Sequence, residues 1–165
     1  MKAEQRRAER TERARELLRT VRHAAMATVN ADGSPHNSPY FFMAGPGLEH
    51  LYWGSHPESL HSQNILRTGQ LFVVLYDAIE RGGLFIEAGD GHILEGEELD
   101  DGLAVHNALR AREGQEPIGR EYYVEGPQRM WGARTKRFWV NASERDDDGG
   151  LVRDYRLEVR REDLV

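Results

Sequence analysis

The chain has 165 residues, a length that favours one domain with its own hydrophobic core. Hydrophobic residues make up 39% and charged residues 30%, which is typical of globular proteins, and no apolar run is long enough to cross a membrane. The net charge of −6 argues against a general nucleic-acid-binding protein. The absence of cysteine excludes disulfides, thiolate metal sites and cysteine nucleophiles. With a charged N-terminus and no apolar signal sequence, we expect a cytoplasmic protein.

Residues 1–22 predict a charged N-terminal helix or arm in front of the main domain, residues 23–165. Ala, Glu, Arg and Leu dominate this segment, and neither Gly nor Pro interrupts it. Its apolar residues Leu17, Leu18 and Val21 lie near its C-terminal end, so we expect a solvated helix that docks by its last two turns. A basic arm for nucleic acid is less favoured because acidic residues alternate with the basic ones.

Residues 23–94 predict strands joined by tight turns, with strands over 23–29, 35–43, 48–53, 71–76 and 84–94. Turns are expected at Asp32-Gly33 and at Arg81-Gly82-Gly83. Pro39 lies inside the second strand, which predicts an edge strand, a bulge or a ligand-facing backbone there. A helix over 59–67 follows the third strand. One helix inserted among antiparallel strands favours a barrel.

The C-terminal part adds a helix over 97–113, an irregular aromatic stretch over 122–131 and a strand over 134–142. The acidic triplet at 146–148 is predicted to be an exposed hairpin loop rather than a cation site. A half-buried strand follows over 154–160, with Tyr155, Leu157 and Val159 on one face. The predicted fold class is therefore α+β, mainly β, with an antiparallel split β-barrel flanked by helices.

Residues 51–65 run from an aromatic strand through small residues into a helix, an arrangement typical of anion sites. Ser55 and Ser59 offer hydroxyls, His61 offers a ring nitrogen, and Gly54 lets the backbone approach closely. A helix N-cap role for Ser55 explains that serine equally well. A metal site is not expected, because His56 and His61 are five residues apart and lie about 140° apart on a helix.

A flavin needs a flat slot, backbone hydrogen-bonding groups and a phosphate anchor one ribityl chain away. The second strand can form such a slot with Trp53 of the third strand, and Trp139 can contribute from the last sheet; the second-strand residues are Asn37, Ser38, Pro39 and Tyr40. For each aromatic taken alone, packing in the core is the competing explanation.

These residues together resemble the pyridoxamine 5′-phosphate oxidase-like family, the flavin-binding split barrels, over roughly residues 20–142. The order and spacing of its motifs carry the resemblance: Ala27-Thr28-Val29, Asp32-Gly33-Ser34-Pro35, Ser38-Pro39, Tyr52-Trp53-Gly54-Ser55, then Ser59, His61 and Asn64, and finally Arg137-Phe138-Trp139-Val140-Asn141. The resemblance implies a split-barrel homodimer with two flavin sites at the subunit interface. It implies FMN most often, with deazaflavin, FAD or haem in some branches.

Carried over by position, the resemblance places the isoalloxazine and ribityl chain beside Ser38, Pro39 and Tyr40. It places the phosphate on Ser55, Ser59 and His61, and brings Trp139 from the partner subunit. The vitamin B6 oxidases have an Arg-Lys pair where Leu60-His61 stands here, an arginine at Ser38 and a lysine at Met43. Lys136 or Arg134 is a candidate to compensate for these lost charges. The oxidases' C-terminal substrate signature is not recognisable, so pyridoxine phosphate is not the expected substrate.

The sequence therefore predicts an FMN-binding oxidoreductase acting on an unidentified small molecule. The alternative is a non-catalytic flavin or haem carrier or sensor on the same fold, because the fold alone does not decide activity. A deazaflavin-dependent reductase is less favoured, because no basic groove for a polyglutamyl tail is evident. The flavin carries the redox chemistry, so no catalytic residue is assigned. Tyr40, His61 and Tyr123 are weak candidates for a proton donor.

Overall fold

The computed structural model describes residues 2–77, 82–146 and 148–165, with side chains from Glu4 onward. Arg81 of the predicted turn and Asp147 of the predicted acidic loop lie outside the described residues. The strands are β1 (His23–Val29), β2 (Pro35–Phe41), β3 (Met43–Ala44), β4 (His50–Ser55), β5 (Leu71–Asp77), β6 (Gly82–Ile93), β7 (Arg129–Arg145) and β8 (Leu151–Val159). The helices are α1 (Lys2–Thr20), α2 (Leu60–Thr68), α3 (Gly96–Arg112) and α4 (Glu121–Val124), with 3₁₀ turns at Pro46–Leu48 and Arg161–Asp163.

The described strands form one antiparallel sheet in the order β2-β1-β5-β6-β7-β4-β3, with β8 added beside β7. The long strand β7 pairs with β4 through its first half and with β8 through its second half. The two ends of the sheet approach each other without closing, and Tyr40 on β2 packs edge-on against Trp53 on β4 at 6.0 Å. The predicted antiparallel split barrel is confirmed. Pro39 lies on the edge strand β2, where its missing N–H costs no ladder bond.

The barrel interior is filled by large side chains, among them Trp53 and Trp131, whose rings stack at 6.2 Å. Helix α2 lies across one end of the barrel and contributes the fully buried Ile65. Helix α3 covers the outer face of β4 and β7 through a second apolar cluster: Met43, Tyr52, Leu94, Leu99, Leu103, Tyr123 and Met130. None of the helices within the described ranges is long and apolar enough to span a membrane.

Three element predictions need correction. The third strand begins at His50 rather than at residue 48, because the chain first makes a 3₁₀ turn in which Leu48 has a φ of 55°. The stretch predicted to be irregular contains α4 and the start of β7, since β4 and α3 supply partners that sequence periodicity does not reveal. Tyr155 is 41% exposed because it lies on β8, an edge strand, whereas Val159 is buried as predicted.

Helix α1 docks along its C-terminal half, as the position of its apolar residues predicts. Ala14 and Leu17 are each 1% exposed, and Thr11 extends the buried face by one turn. Arg13 fixes the helix to β5 through an ion pair with Asp77 at 2.7 Å. The charged segment is therefore part of the packed structure over its last three turns.

Replacing Leu17 with alanine should lower the free energy of unfolding by about 2–5 kcal/mol, because it deletes buried methyl groups and leaves a cavity between α1 and the barrel. Arg19→Ala, on the exposed side of the same helix, should change it by less than about 0.5 kcal/mol. Urea unfolding followed by circular dichroism measures both. Equal small effects would show that α1 does not pack on the barrel in solution.

Candidate functional site

Three of the residues predicted to hold a phosphate meet where β4 ends and α2 begins. His61 Nε2 lies 2.7 Å from Ser55 Oγ and 3.1 Å from Ser59 Oγ. Its other ring nitrogen, Nδ1, lies 3.2 Å from Ser38 Oγ on β2. Ser62, which the sequence did not single out, adds a hydroxyl 2.8 Å from Ser59 Oγ. We call Ser38, Ser55, Ser59 and His61 the hydroxyl–histidine cluster.

This cluster carries no fixed charge. Burial lowers the pKa of His61, and the nearby His36 lowers it further when that ring is positive. The His61 ring is therefore neutral at physiological pH, with one nitrogen donating and the other accepting a hydrogen bond. The other three members are serine hydroxyls, each of which can rotate to donate to an incoming anion.

Ser59, and not Ser55, is the N-cap residue of α2, so the cap interpretation of Ser55 is wrong. The Ser59 hydroxyl makes no capping bond to a helix N–H; it donates to the carbonyl of His56 at 2.9 Å instead. Within the described residues, the first-turn N–H groups of α2 consequently have no side-chain partner. Such groups carry the positive end of the helix dipole and favour an anion.

Asn64, predicted to contact the cofactor, fastens α2 to the barrel. Its side chain is 3% exposed and its Nδ2 donates to Thr28 Oγ1 at 3.1 Å and to Asn30 Oδ1 at 2.9 Å. Arg67, one turn further on, donates to the carbonyl of Val29. These bonds to β1 and its following turn fix the helix, and with it the position of the cluster.

The residues predicted to form a flat slot lie on two different faces of the sheet. Tyr40 and Trp53 point into the barrel and are 6% and 0% exposed, so in this structure they pack the core. The Tyr40 hydroxyl and Trp53 Nε1 have no hydrogen-bond partner within the described part of the chain, and burial raises the pKa of Tyr40. Asn37 and Pro39 are exposed on the outer face of β2.

The space that a side chain at position 54 would need is occupied by other residues of the chain. A Cβ at this position would lie 3.1 Å from Tyr123 Cε1 and 3.1 Å from Gln128 Oε1. Tyr123 is 3% exposed, burial raises the pKa of its hydroxyl, and that hydroxyl is hydrogen-bonded to His106 Nδ1 at 2.8 Å. In this structure the side chain that lies close to the Gly54 backbone is that of Tyr123, so the absence of a Cβ allows α4 to pack against β4.

Lys136 and Trp139 do not reach the cluster within one chain. Arg129 is the register partner of Ser55, and Lys136 follows it by seven residues, roughly 23 Å along β7. Trp139 lies further along, half-buried on the outer face, with its ring 5.9 Å from that of Phe72 and the Arg137 guanidinium 4.7 Å above it. A contribution from Trp139 to the site of a partner subunit stays a prediction.

Sequence reasoning missed Arg129, the residue of β7 that lies opposite Ser55. Its Nη1 donates to the carbonyls of Gly126 at 2.6 Å, Gln128 at 3.0 Å and Tyr123 at 3.3 Å. The only signal in the sequence is its place two residues before Trp131, and the register of β4 against β7 cannot be read from that spacing.

The Nδ1 of His56 accepts a hydrogen bond from the backbone N–H of Glu58 at 3.2 Å, so this ring nitrogen is not available to bind a metal ion. The described ranges contain no group of three or more His, Asp or Glu side chains placed to hold a metal ion.

Comparison with known families finds that the model described as pyridoxamine 5′-phosphate oxidase matches residues 11–145. A comparison with curated proteins finds no match. Among solved structures, the heme-binding protein from Mycobacterium smegmatis superposes with a TM-score of 0.63 and 18% identity, over 93% of this chain and 59% of that one.

Two further structures share the fold. A putative pyridoxamine 5′-phosphate oxidase from Listeria innocua has a TM-score of 0.57 and 14% identity, over 79% of this chain and 96% of that one. A protein described as F420 reductase has a TM-score of 0.54 and 17% identity, over 74% of this chain and 93% of that one. At identities this low, the superpositions show a common fold and no more. That fold occurs in proteins named for three different cofactors or substrates.

Replacing Asn64 with alanine should lower the free energy of unfolding by about 1–3 kcal/mol, because the hydroxyl of Thr28 and the amide of Asn30 lose their partner in a buried place. Gln70→Ala, at an exposed position just beyond α2, serves as the control and should change it by less than about 0.5 kcal/mol. Denaturant unfolding of the two variants decides the matter. If both substitutions changed the free energy of unfolding equally, the hydrogen bonds of Asn64 would not be what holds α2 to the barrel.

Proposed function

We propose, since the chain belongs to the pyridoxamine 5′-phosphate oxidase family, that it binds FMN and acts as a flavin-dependent oxidoreductase on a small molecule. The observation that carries this proposal is the hydroxyl–histidine cluster at the start of α2. Ser55, Ser59 and His61 converge there within 3.1 Å of one another. In our proposal they hold the FMN phosphate.

A phosphate suits this cluster because its oxygens accept hydrogen bonds and the cluster offers rotatable donors. Hydrogen bonds to a charged acceptor contribute roughly 1.5–3 kcal/mol each, about twice the value of neutral ones. The uncapped N–H groups of α2 add donors that point along the helix axis. The hydroxyls of Ser55 and Ser59 make neutral hydrogen bonds to each other, to His61 and to the carbonyl of His56, and a phosphate would replace some of these neutral contacts with charge-assisted ones.

A homodimer is part of the proposal, because the outer face of the sheet carries a group of half-buried aromatic rings. Phe72, Phe85 and Trp139 lie together on this face, partly covered by the guanidinium of Arg156, which lies 4.2 Å from the Phe85 ring. A second copy seated there would cover these rings and bring its own Trp139 toward the flavin. The bound flavin supplies the redox chemistry, while this chain orients it and excludes water. We assign the protein to the cytoplasm and assign no catalytic residue.

The alternative, a non-catalytic haem or flavin carrier, is favoured by one observation. His61 is half-buried and neutral, and a neutral imidazole nitrogen is a ligand for haem iron. We prefer FMN because both His61 nitrogens are already engaged by serine hydroxyls. A deazaflavin is less favoured, since no fixed positive charge belongs to the cluster itself.

The visible spectrum of the purified protein tests the proposed function. We expect the absorption of an oxidised flavin, released as FMN on denaturation, and bleaching of that absorption when NADH or NADPH is added without oxygen. A haem Soret band would favour the carrier. Colourless protein that does not take up added FMN would contradict the proposal.

The contribution of His61 to the affinity for FMN should fall as the pH rises. A bound phosphate raises the pKa of His61 from its lowered value, because a negative charge favours the protonated ring. The gain in affinity is therefore complete below the pKa of the free protein and is lost as the pH passes the pKa of the complex. His61→Gln should remove this pH dependence while leaving that of the FMN phosphate itself.

Titrations of both proteins with FMN between pH 5 and 8 isolate the contribution of His61, because the ligand's own ionisation is common to both. Identical pH profiles for the wild-type protein and His61→Gln would place the phosphate away from His61.

A further inference from the structure

The geometry points to Arg129 as the positive charge of the phosphate site, a residue that binds the phosphate together with Ser55, Ser59 and His61. This inference rests on the proposed FMN function and deepens it. It addresses the feature that makes the cluster unusual for a phosphate site, which is that none of its four members carries a permanent charge.

The position of Arg129 is set by strand pairing. The register of β4 and β7 places Arg129 directly opposite Ser55, and side chains so opposed have Cβ atoms about 4.5–5.5 Å apart. Alternation along β7 places Arg129 on the same face as Trp131, which points into the barrel and donates from Nε1 to the Ser55 carbonyl at 3.1 Å. The side chains of Arg129 and Ser55 therefore leave the backbone at neighbouring positions, on the same face of the sheet and at the same end of the barrel.

The guanidinium of Arg129 is held from one side only. Its Nη1 donates to three carbonyls of the segment between α4 and β7. Within the described residues, neither its Nε nor its Nη2 makes a hydrogen bond, and no carboxylate pairs with it. The side chain is half-buried, so its charge is poorly screened by water. A planar guanidinium fixed at one nitrogen presents its remaining N–H groups in a geometry that suits phosphate oxygens.

The other cations near the cluster are placed or engaged elsewhere. Strands β2 and β4 contain no Lys or Arg, and the one arginine of α2, Arg67, donates to the Val29 carbonyl. Arg134 pairs in register with His50 at the opposite end of β4, and Lys136 lies further still along β7. Arg129 is thus the arginine that the described strands place beside the hydroxyls.

Replacing Arg129 with glutamine should weaken FMN binding at least tenfold, because a charge-assisted contact to the phosphate is lost. Binding of riboflavin, which has the same ring and no phosphate, should change less than about twofold. Arg129→Lys, which keeps the charge without the planar fork, should restore part of the FMN affinity. Arg145→Gln removes the same charge from the far end of β7 and is the control, with both affinities expected to match the wild-type protein.

Fluorescence titrations with FMN and with riboflavin, each at low and high salt, separate the outcomes, and thermal melts report any loss of fold. Higher salt should weaken FMN binding more in the wild-type protein than in Arg129→Gln. Equal loss of both flavins in Arg129→Gln would give Arg129 a purely structural role and overturn the inference alone. Failure of the wild-type protein to bind either flavin would overturn the proposed function and this inference with it.

Discussion

The buried hydrogen bond from Trp131 Nε1 to the carbonyl of Ser55 is the contact on which the site depends. Ser55 is the last residue of β4, and a strand end that frays cannot hold a hydroxyl in place. The indole of Trp131 satisfies that carbonyl in the barrel core and stacks on Trp53 of the same strand, so the position of Ser55 is tied to the packing of the whole barrel. Because Ser55 contacts His61, the first turn of α2 is positioned by the same packing.

Two further anchors fix the other side of the site. Asn64 joins α2 to β1, and Ser38 brings the edge strand β2 to His61. The cluster is therefore assembled from β2, β4 and the start of α2. Arg129 adds a fourth element, β7. In our proposals the uncharged hydroxyls orient the phosphate through hydrogen bonds. The protonated ring of His61 and the guanidinium of Arg129 supply the positive charge that balances the phosphate.

The sequence predicted those features that local chemistry dictates. The helix predicted over 59–67 forms over Leu60–Thr68 and is closed by Gly69 with a left-handed φ of 65°, and the edge strand is one of the three explanations that Pro39 offered. The meeting of Ser55, Ser59 and His61 followed too, because they are close in sequence. The family resemblance was confirmed by the match over residues 11–145.

What the sequence did not reveal depended on tertiary contacts. Gly54 was read as room for a ligand, yet the space is filled by Tyr123 from an element 69 residues later. Tyr40 and Trp53 were placed along an open slot, whereas period-two alternation and barrel closure turn them inward. Arg129 escaped notice because its relation to Ser55 exists only through the register of two strands that are distant in sequence. None of these contacts can be predicted from a sequence segment of ten residues, because each joins residues that are far apart in the chain.

The most direct test of the account is a crystal structure of the protein grown with FMN. We predict that the phosphate lies at the start of α2, with oxygens within hydrogen-bond distance of Ser55 Oγ, Ser59 Oγ and His61 Nε2, and with the Arg129 guanidinium turned toward it. A flavin bound with its phosphate in any other part of the molecule would contradict the account.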